Sequence, residues 1–228
     1  MTKSGADMAD AWVLVSGGTG GIGAKLIAKL AEAGIRSAIG YRSDRTAAES
    51  LANAWCGEAF PLDLDDASQV EFTTHRLAGR NVTALVMNAS PAPDIEMFRK
   101  VSPKSFEKQF QISVIGNHLL LANMIGNVFR TRRAGTVVGI LTRAMGSDTE
   151  IALKYVTAHV VAKYGLLGLL KCAKAEYPWL RVETVSPNFT DTPMLDAFDP
   201  RFVEMLRKQG KLSNPAAVAD AILRKIIG

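Results

Sequence analysis

Short apolar runs alternate with longer amphipathic segments along the whole of this 228-residue chain. A short run bounded by polar or turn-forming residues predicts a buried strand, and a longer segment with apolar residues at helical spacing predicts a helix. The predicted strands are residues 12–16, 37–41, 58–62, 84–88, 136–141 and 182–186. The predicted helices are residues 21–33, 45–54, 67–77, 105–129, 151–177, 200–208 and 215–226.

This rhythm is typical of βαβ units, in which helices cover both faces of a parallel sheet. We therefore expect an α/β fold, a three-layer, doubly wound parallel sheet of six strands. No Gly/Ser-rich or Pro-rich linker and no internal repeat divides the chain, so residues 1–228 are predicted to form one domain. The irregular stretch 187–199 and the helix after it predict a small substrate lid over about residues 188–212.

Composition and charge narrow the class of protein. Hydrophobic residues make up 48% of the chain and charged residues 21%, which excludes a disordered protein. The net charge of +5 suits an anionic ligand, but most basic residues are scattered, so we expect no nucleic-acid partner. The apolar runs fall short of the roughly 18 to 20 residues of a membrane span, so none is predicted. The N-terminus lacks a secretory signal and the two cysteines are isolated, which favours the cytoplasm and no metal site.

The glycine-rich sequence between the first strand and the first helix is the motif that most clearly indicates a ligand site. Glycines let a backbone turn tightly and approach a pyrophosphate, whose charge then meets the amides at the helix N-terminus. A GxGxxG string alone is weak evidence, but here it follows a strand and opens a helix, as dinucleotide binding requires. The residues predicted to contact the dinucleotide are Gly17, Gly18, Thr19, Gly20, Gly21, Ile22 and Gly23.

The end of the second predicted strand, Tyr41-Arg42-Ser43, selects between NAD and NADP. A carboxylate at this point holds ribose hydroxyls, whereas a basic side chain holds a 2′-phosphate. The Arg42 guanidinium and the Ser43 hydroxyl suit a phosphate, so NADP(H) is the predicted cofactor. Asp44 leaves NAD as the alternative, although it lies where the next helix needs an N-cap, and Arg45 is expected to be a solvated helix residue.

With these motifs placed, the chain resembles the short-chain dehydrogenase/reductase family, and within it the β-ketoacyl reductase-like branch, over nearly its whole length. The family's glycine motif TGxxxGxG is similar to residues 16–23. The resemblance implies an NAD(P)-binding Rossmann domain, here expected to lack the family's last strand. Its other cofactor motifs correspond to Asp63 and Leu64 after the third strand, Asn88, Ala89 and Ser90 after the fourth, and Pro187, Phe189 and Thr192 after the sixth.

The catalytic residues follow the family pattern less closely. The family uses a Tyr to move the proton, a Lys four residues later that lowers the pKa of that Tyr and binds the ribose, a Ser that polarises the carbonyl, and an Asn in a water relay. The position of the Ser is held here by Thr142, which still carries a hydroxyl. The position of the Asn is held by Ser113, which puts the relay in question.

The Tyr and Lys positions can be assigned in two registers. Counting from the fifth strand selects Tyr155, with His159 four residues later. Counting back from residues 162–169, which resemble the stretch around the family's lysine, selects Lys163 and puts His159 in the Tyr position. We favour the second register, HxxxK, because a loop can lengthen where a helix cannot slip.

Residues 155, 159 and 163 are spaced by four and are predicted to share one helix face. Lys163 should lower the pKa of His159 and leave the imidazole mostly neutral, a better base than acid. Tyr155, one turn earlier, is the alternative proton donor. The other alternative is that His159 has no chemical role and that ordinary reductase chemistry is lost.

The predicted function is an NADP(H)-dependent oxidoreductase that reduces a ketone, with a β-ketoacyl thioester as a candidate substrate. Apolar residues of the lid, with Met97, Phe98 and Met145, favour an apolar or acyl-type ketone. Two functions remain as alternatives. One is a lyase or isomerase in which His159 is the base, and the other is an inactive nucleotide-binding partner.

Partners are expected from the same resemblance. Related ketoacyl reductases present basic residues to an acyl carrier protein where this chain has Arg130, Arg132 and Arg133. The alternative for these arginines is a charged helix C-terminus that favours the helix dipole. A homodimer is expected through the two long helices, residues 105–129 and 151–177.

Overall fold

Six parallel strands form one sheet in the computed structural model, which describes residues 10–228. Their order across the sheet is β3-β2-β1-β4-β5-β6. The order reverses between β1 and β4, and open α/β sheets bind ligands at such a point, outside the carboxyl ends of the strands. The strands are β1 (Trp12–Val15), β2 (Arg36–Tyr41), β3 (Glu58–Pro61), β4 (Val82–Met87), β5 (Gly135–Ile140) and β6 (Leu180–Val185).

Helices cover both faces of this sheet, which confirms the predicted three-layer α/β fold. Helices α1, α2 and α7 pack on one face, and α3, α4 and α5 pack on the other. The helices are α1 (Gly21–Glu32), α2 (Arg45–Ala54), α3 (Ala67–Leu77), α4 (Pro103–Phe129), α5 (Thr157–Glu176), α6 (Pro200–Lys208) and α7 (Pro215–Ile227).

Strand β1 shows why a strand of this sheet appears in the sequence as a continuous run of apolar residues. Trp12 and Leu14 point into the core on the side of α3, α4 and α5, whereas Val13 and Val15 point to the side of α1 and α7. Because successive side chains of a strand alternate between faces, a sheet covered on both sides needs apolar residues at every position.

The start of α5 is the one element boundary that the sequence misplaces by more than two residues. The prediction begins this helix at residue 151, but α5 begins at Thr157. Tyr155 has φ of +71°, a left-handed conformation that interrupts a right-handed helix. The preceding segment forms a loop instead, in which the Leu153 amide donates to the Ala144 carbonyl at 2.9 Å. Tyr155 therefore does not share a helix face with His159 and Lys163, and that prediction is wrong.

Helix α4 is continuous but contains two π-helical turns, Gln111–Gly116 and Ile125–Phe129. Such turns are frequent near functional sites. Among residues 10–228, α4 is the one helix that is long and apolar enough to cross a membrane by length and composition. Half of its most apolar stretch is buried inside the fold. The core helices of globular proteins can be equally long and apolar.

The segment after β6 is anchored at both ends. A parallel bridge joins Thr190 to Ser213, and the Ser213 amide donates to the Phe189 carbonyl at 2.7 Å. Between these anchors lie a 3₁₀ turn, Pro193–Ala197, and α6. In the part of the chain described by the structure, no strand follows β6, which is the edge of the sheet.

Candidate active site

The glycine-rich loop between β1 and α1 forms a cradle of backbone groups. Gly17 has φ of +61°, and a Cβ there would lie 3.0 Å from the Cα atom of Ala89. A Cβ on Gly23 would lie 2.4 Å from the Gly17 carbonyl oxygen, so the first turn of α1 packs directly on the loop. The N-cap residue is Gly20, which has no side chain to cap the helix. The first-turn amides of α1 are therefore available to an anionic ligand.

Ser16 and Asn88 connect this loop to the end of β4. The Asn88 side-chain amide donates to the carbonyl oxygens of Ser16 and Gly17, at 3.0 and 2.9 Å. The Ser16 hydroxyl accepts from the backbone amides of Asn88 and Ala89, at 3.0 and 3.1 Å. These bonds hold the cradle in shape without a ligand. Ser90, which follows, has a buried hydroxyl with no partner among residues 10–228.

The loop after β6 lies against the same cradle. A Cβ on Gly21 would lie 2.5 Å from the Cγ2 atom of Thr192, so the two segments touch. The Pro187 carbonyl accepts from the Arg143 amide at 2.8 Å, which joins this loop to the end of β5. The predicted cofactor residues of the two loops are therefore close together. Phe189 belongs to the lid and packs edge-on against Phe198 and Phe202, with ring centroids 5.5 Å apart in both cases.

The end of β2 leaves one arginine available to a ligand. Asp44 is the N-cap of α2, because its carboxylate accepts from the Ala47 amide at 2.9 Å. Arg45 is paired on the surface with Glu49 at 2.7 Å, as expected of a solvated helix residue. Arg42 and Ser43 are exposed at this end of the strand. Asp44 is thus occupied as a cap, which weakens the case for NAD.

Asp63 and Leu64 lie at the carboxyl end of β3, beside α4. The Asp63 carboxylate accepts from the Asp65 amide at 3.1 Å, which shapes the turn. A Cβ on Gly116 would lie 2.2 Å from the Leu64 carbonyl oxygen, so α4 can approach this loop only because residue 116 is glycine. Tyr41 is tied to the same region, since its carbonyl accepts from the Leu62 amide at 2.7 Å.

Thr142 and Lys163 present hydrogen-bond donors at the carboxyl end of β5. The Thr142 hydroxyl oxygen accepts from the Ala144 amide at 3.1 Å, which leaves its own O–H free to donate. Lys163 is only 3% exposed, and its Nζ donates to the Ile140 carbonyl at 2.9 Å. Burial lowers the pKa of Lys163 to about 8, so the ammonium form still prevails at neutral pH.

His159 lies one turn before Lys163 and is held from the side by α4. Its Nδ1 is 3.1 Å from Oε1 of Gln109, and Nε2 of Gln109 donates to the Ala92 carbonyl at 2.9 Å. Burial, and secondly the charge of Lys163, lowers the pKa of His159 to about 3, so the imidazole is neutral. Sequence reasoning missed Gln109, because no local pattern signals a contact between residues 50 positions apart.

Ser113 and Tyr155 lie in different surroundings from this group. Ser113 is fully buried in the first π-helical turn of α4, and its hydroxyl has no partner among the described residues. Tyr155 is 50% exposed in the loop before α5, where the Glu96 amide donates to its carbonyl at 2.8 Å. With Met97 and Phe98 it lines an open groove. Met145, also predicted to line the pocket, is buried.

The three arginines predicted to meet a carrier protein lie at the other end of the sheet. Arg132 donates to the Asn81 side chain and to the carbonyl of Val82, the first residue of β4. Arg130 and Arg133 are exposed just before β5. At about 3.3 Å per residue, the six-residue strand β5 puts on the order of 20 Å between them and Thr142. Arg132 is thus a structural residue, and within one protomer the cluster does not border the site.

The residues present fit a dinucleotide and show no metal centre. The glycines let two loops and a helix N-terminus converge, and side chains at those positions would fill the cradle. In residues 10–228, no three His, Cys, Asp or Glu side chains come together as metal ligands. Thr142 has one free O–H, Lys163 has two N–H groups beyond the one bound to Ile140, and the neutral imidazole of His159 has one acceptor nitrogen.

Comparisons with known proteins agree with this arrangement. A family model described as enoyl-(acyl carrier protein) reductase matches residues 17–223. An uncharacterised oxidoreductase of Bacillus subtilis is 23% identical over 217 residues, covering 91% of this chain and 88% of that protein. The 3-oxoacyl-[acyl-carrier-protein] reductase of Aquifex aeolicus is 26% identical over 224 residues, covering 92% and 87%.

The fold is also that of solved reductases. The structure of 3-ketoacyl-(acyl-carrier-protein) reductase from Brucella melitensis, complexed with NADH, superposes with a TM-score of 0.83 at 20% identity. The match covers 96% of this chain and 91% of that one. Together with the family model, which spans most of the sequence, these likenesses show that the chain belongs to the short-chain dehydrogenase/reductase family of oxidoreductases and has ketoacyl reductases among its relatives.

Proposed function

We propose that this protein is an NADP(H)-dependent oxidoreductase that reduces a ketone to an alcohol. The observation that carries the proposal is the position of Lys163, whose buried ammonium is held at the Ile140 carbonyl, two residues before Thr142. This point lies at the same edge of the sheet as the glycine-rich cradle. A cofactor site and a pair of hydrogen-bond donors for a carbonyl oxygen therefore border the same space.

The roles of the side chains follow from their free donors. A bound nicotinamide would supply the hydride. Thr142 polarises the substrate oxygen with its free O–H. Lys163 binds ribose hydroxyls with its remaining N–H groups, and its pKa of about 8 suits it to deliver the proton at neutral pH. His159 is held neutral and Tyr155 lies outside the helix, so neither is assigned the proton in this proposal.

The preference for NADP(H) is supported by the end of β2. Arg42 is exposed there, while the carboxylate that follows it in the sequence, Asp44, is used as a helix cap. An arginine fork suits a 2′-phosphate, whereas ribose hydroxyls alone would need a carboxylate. The Brucella structure contains NADH, whereas that of an actinorhodin polyketide ketoreductase contains NADPH, so proteins of this fold differ in cofactor.

A β-ketoacyl thioester is the candidate substrate that the surroundings favour. The relative from Aquifex is named as acting on a 3-oxoacyl group carried by acyl carrier protein. Phe189, Phe198 and Phe202 pack together as an apolar cluster in the lid, and Met97 and Phe98 line the open groove that also contains Tyr155. An acyl carrier protein remains a proposed partner. Arg130 and Arg133 are exposed, but they lie at the opposite end of β5 from Thr142.

The proposal is tested by following the loss of NADPH absorbance with a panel of ketones and β-ketoacyl thioesters. We expect oxidation of NADPH with at least one acyl-type ketone. Tight NADPH binding without turnover of any substrate would overturn the proposal.

His159→Tyr is expected to increase the rate, because a phenol then stands four residues before Lys163. Loss of activity in Tyr155→Phe would instead assign the proton to Tyr155.

A non-redox function is the second candidate, and the neutral imidazole of His159 is the observation that favours it. An imidazole whose Nδ1 is bound to Gln109 can accept a proton at Nε2 from an acidic carbon. Deuterium incorporation from heavy water into a β-ketoacyl thioester, without NADPH oxidation and lost in His159→Gln, would support a lyase or isomerase. NADPH binding with neither reaction would support an inactive nucleotide-binding partner.

A homodimer through α4 and α5 is also proposed. These helices pack side by side and expose apolar side chains, Ile115 on α4 and Val161 and Tyr164 on α5. We expect sedimentation to show a dimer that Ile115→Glu dissociates. Phe72→Glu, an exposed phenylalanine on α3, is the matched control and should leave the dimer intact. A wild-type monomer would contradict the proposal.

A further inference from the structure

Gln109 is a buried polar residue that links the candidate active site to the loop after β4. It is fully buried on α4, where a hydrogen-bonding side chain needs partners for its amide groups. Its Nε2 donates to the Ala92 carbonyl at 2.9 Å, and its Oε1 lies 3.1 Å from Nδ1 of His159. One side chain thus bridges a backbone carbonyl and the imidazole.

The Ala92 carbonyl fixes which way the amide of Gln109 points. A carbonyl oxygen only accepts, so the NH₂ group of Gln109 must face Ala92 and its oxygen must face His159. An amide oxygen also only accepts, so Nδ1 of His159 must carry the ring proton. Nε2 of the neutral imidazole is then unprotonated, and its lone pair can accept a hydrogen bond. Among residues 10–228 it has no hydrogen-bond partner, and it points away from Gln109.

We propose that Gln109 is a positioning residue that holds His159 in its Nδ1–H form, so that the ligand group placed against Nε2 must be a hydrogen-bond donor. In the short-chain reductase chemistry proposed above, that group is the hydroxyl of the alcohol and not the carbonyl of the ketone. The identity of the ligand rests on the proposed function, whereas the state of the imidazole does not.

The candidate site offers two kinds of hydrogen-bonding group. Thr142 and Lys163 offer donors, which suit a ketone oxygen, and Nε2 of His159 offers an acceptor, which suits a hydroxyl. A phenol at position 159 could donate to the ketone, but this imidazole cannot. The site therefore discriminates between the two oxidation states of a ligand, and it favours the alcohol.

The first test reads the imidazole directly. In the isotope-labelled full chain, long-range proton–nitrogen correlation spectra show which ring nitrogen of each of the three histidines carries a proton. The signals of His159 are assigned by their loss in His159→Gln. We expect its proton on Nδ1 alone. A proton on Nε2, or a mixture of both forms, in the wild-type chain would overturn the proposal.

Variants of Gln109 separate positioning from simple packing. Gln109→Met keeps the length of the side chain but removes its hydrogen bonds, and it should release the Nδ1–H form. Gln109→Glu keeps an acceptor for Nδ1 but loses the donor to the Ala92 carbonyl, so the ring proton should stay on Nδ1. Gln111→Met makes the same change at a half-buried glutamine two residues away and should leave the His159 signals unchanged. If Gln109→Met does not fold, Gln109→Asn withdraws the contact with a smaller change. A His159 proton that stays on Nδ1 without Gln109 would overturn the assignment.

Ligand binding gives a second readout that does not depend on turnover. With NADP⁺ bound, neither cyclohexanone nor the tertiary alcohol made from it by methyl addition can react. We expect the alcohol to bind several-fold more tightly than the ketone, and Gln109→Met to remove this preference. Equal binding of the two by the wild type would overturn the inference. If NADPH oxidation fails with every ketone while the imidazole state and the preference hold, the proposed function fails and this inference stands.

Discussion

The proposed nucleotide half and the proposed catalytic half of the candidate site lie along one edge of the sheet, but the first is built from backbone and the second from side chains. The cradle is made of backbone, and its shape depends on the absence of side chains at positions such as Gly17 and Gly23. The catalytic half is made of buried side chains, Lys163 and His159, whose charge depends on what surrounds them. The shape of the cradle is determined by residues close together in the sequence. The charge of the buried side chains is determined by the packing of segments that are distant in the sequence.

Gly23→Ala is expected to have the largest effect, because it breaks the cradle itself. The new Cβ would lie 2.4 Å from the Gly17 carbonyl oxygen, a contact that only movement of the loop can relieve. Overpacking of this kind costs about 1–3 kcal/mol of stability, and the displaced loop should lose NADPH binding altogether. Fluorescence titration with NADPH measures binding, and thermal unfolding shows that the chain still folds. Gly79→Ala, with no atom within 4 Å of the new Cβ, is the control. Unchanged affinity in Gly23→Ala would show that the cradle is not where the dinucleotide binds.

Lys163→Met tests the catalytic half without touching the cradle. Loss of the ammonium at the Ile140 carbonyl should lower turnover about 100-fold or more, the usual contribution of a proton donor. NADPH should still bind through the cradle, but more weakly, because the proposed contact of Lys163 with the ribose is lost. Because its pKa is about 8, wild-type turnover should also fall as the pH rises above 8. Lys171→Met, an exposed lysine on the same helix, should change neither. A wild-type rate that stays level through pH 9 would argue against Lys163 as the donor.

The sequence predicts the backbone-built parts of the molecule well for a physical reason. Strand and helix periods, the glycines of the cradle and the cap at Asp44 act within a few residues, so the pattern of residue types is enough. Tyr155 was misplaced because its left-handed conformation is imposed by a loop that is bonded to Glu96. Gln109 was missed because its role depends on a contact with His159 on α5. Arg132 was named as a partner contact, and its hydrogen bonds to Asn81 and Val82 could not be read from the sequence because those residues are about 50 positions away. Tertiary contacts of this kind leave no local signal.

His159 should make the folded chain sensitive to acid. Its pKa is lowered from 6.5 to about 3, so between these values the unfolded chain binds a proton that the folded chain does not. The free energy of unfolding should therefore fall as the pH falls through this window, by about 1.4 kcal/mol per pH unit from this residue. Denaturant unfolding at pH 6.5 and 4.5 measures the slope. His159→Gln should reduce it, whereas His75→Gln, at an exposed position, should not. Equal slopes in wild type and His159→Gln would show that His159 is not buried neutral.

Arg42→Ala carries the smallest expected effect and tests the proposed contact of an exposed arginine with the 2′-phosphate. Removal of a charge-assisted hydrogen bond to a 2′-phosphate should weaken NADPH binding about tenfold, and NADH binding should stay the same because NADH lacks that phosphate. Arg45→Ala is a matched control three residues away, since Arg45 is already paired with Glu49 at 2.7 Å. Direct titration with both nucleotides measures the ratio of the two dissociation constants. If Arg42→Ala weakened NADPH and NADH equally, the arginine would contact a part that the two share, and NADP selectivity would have to come from elsewhere in the site.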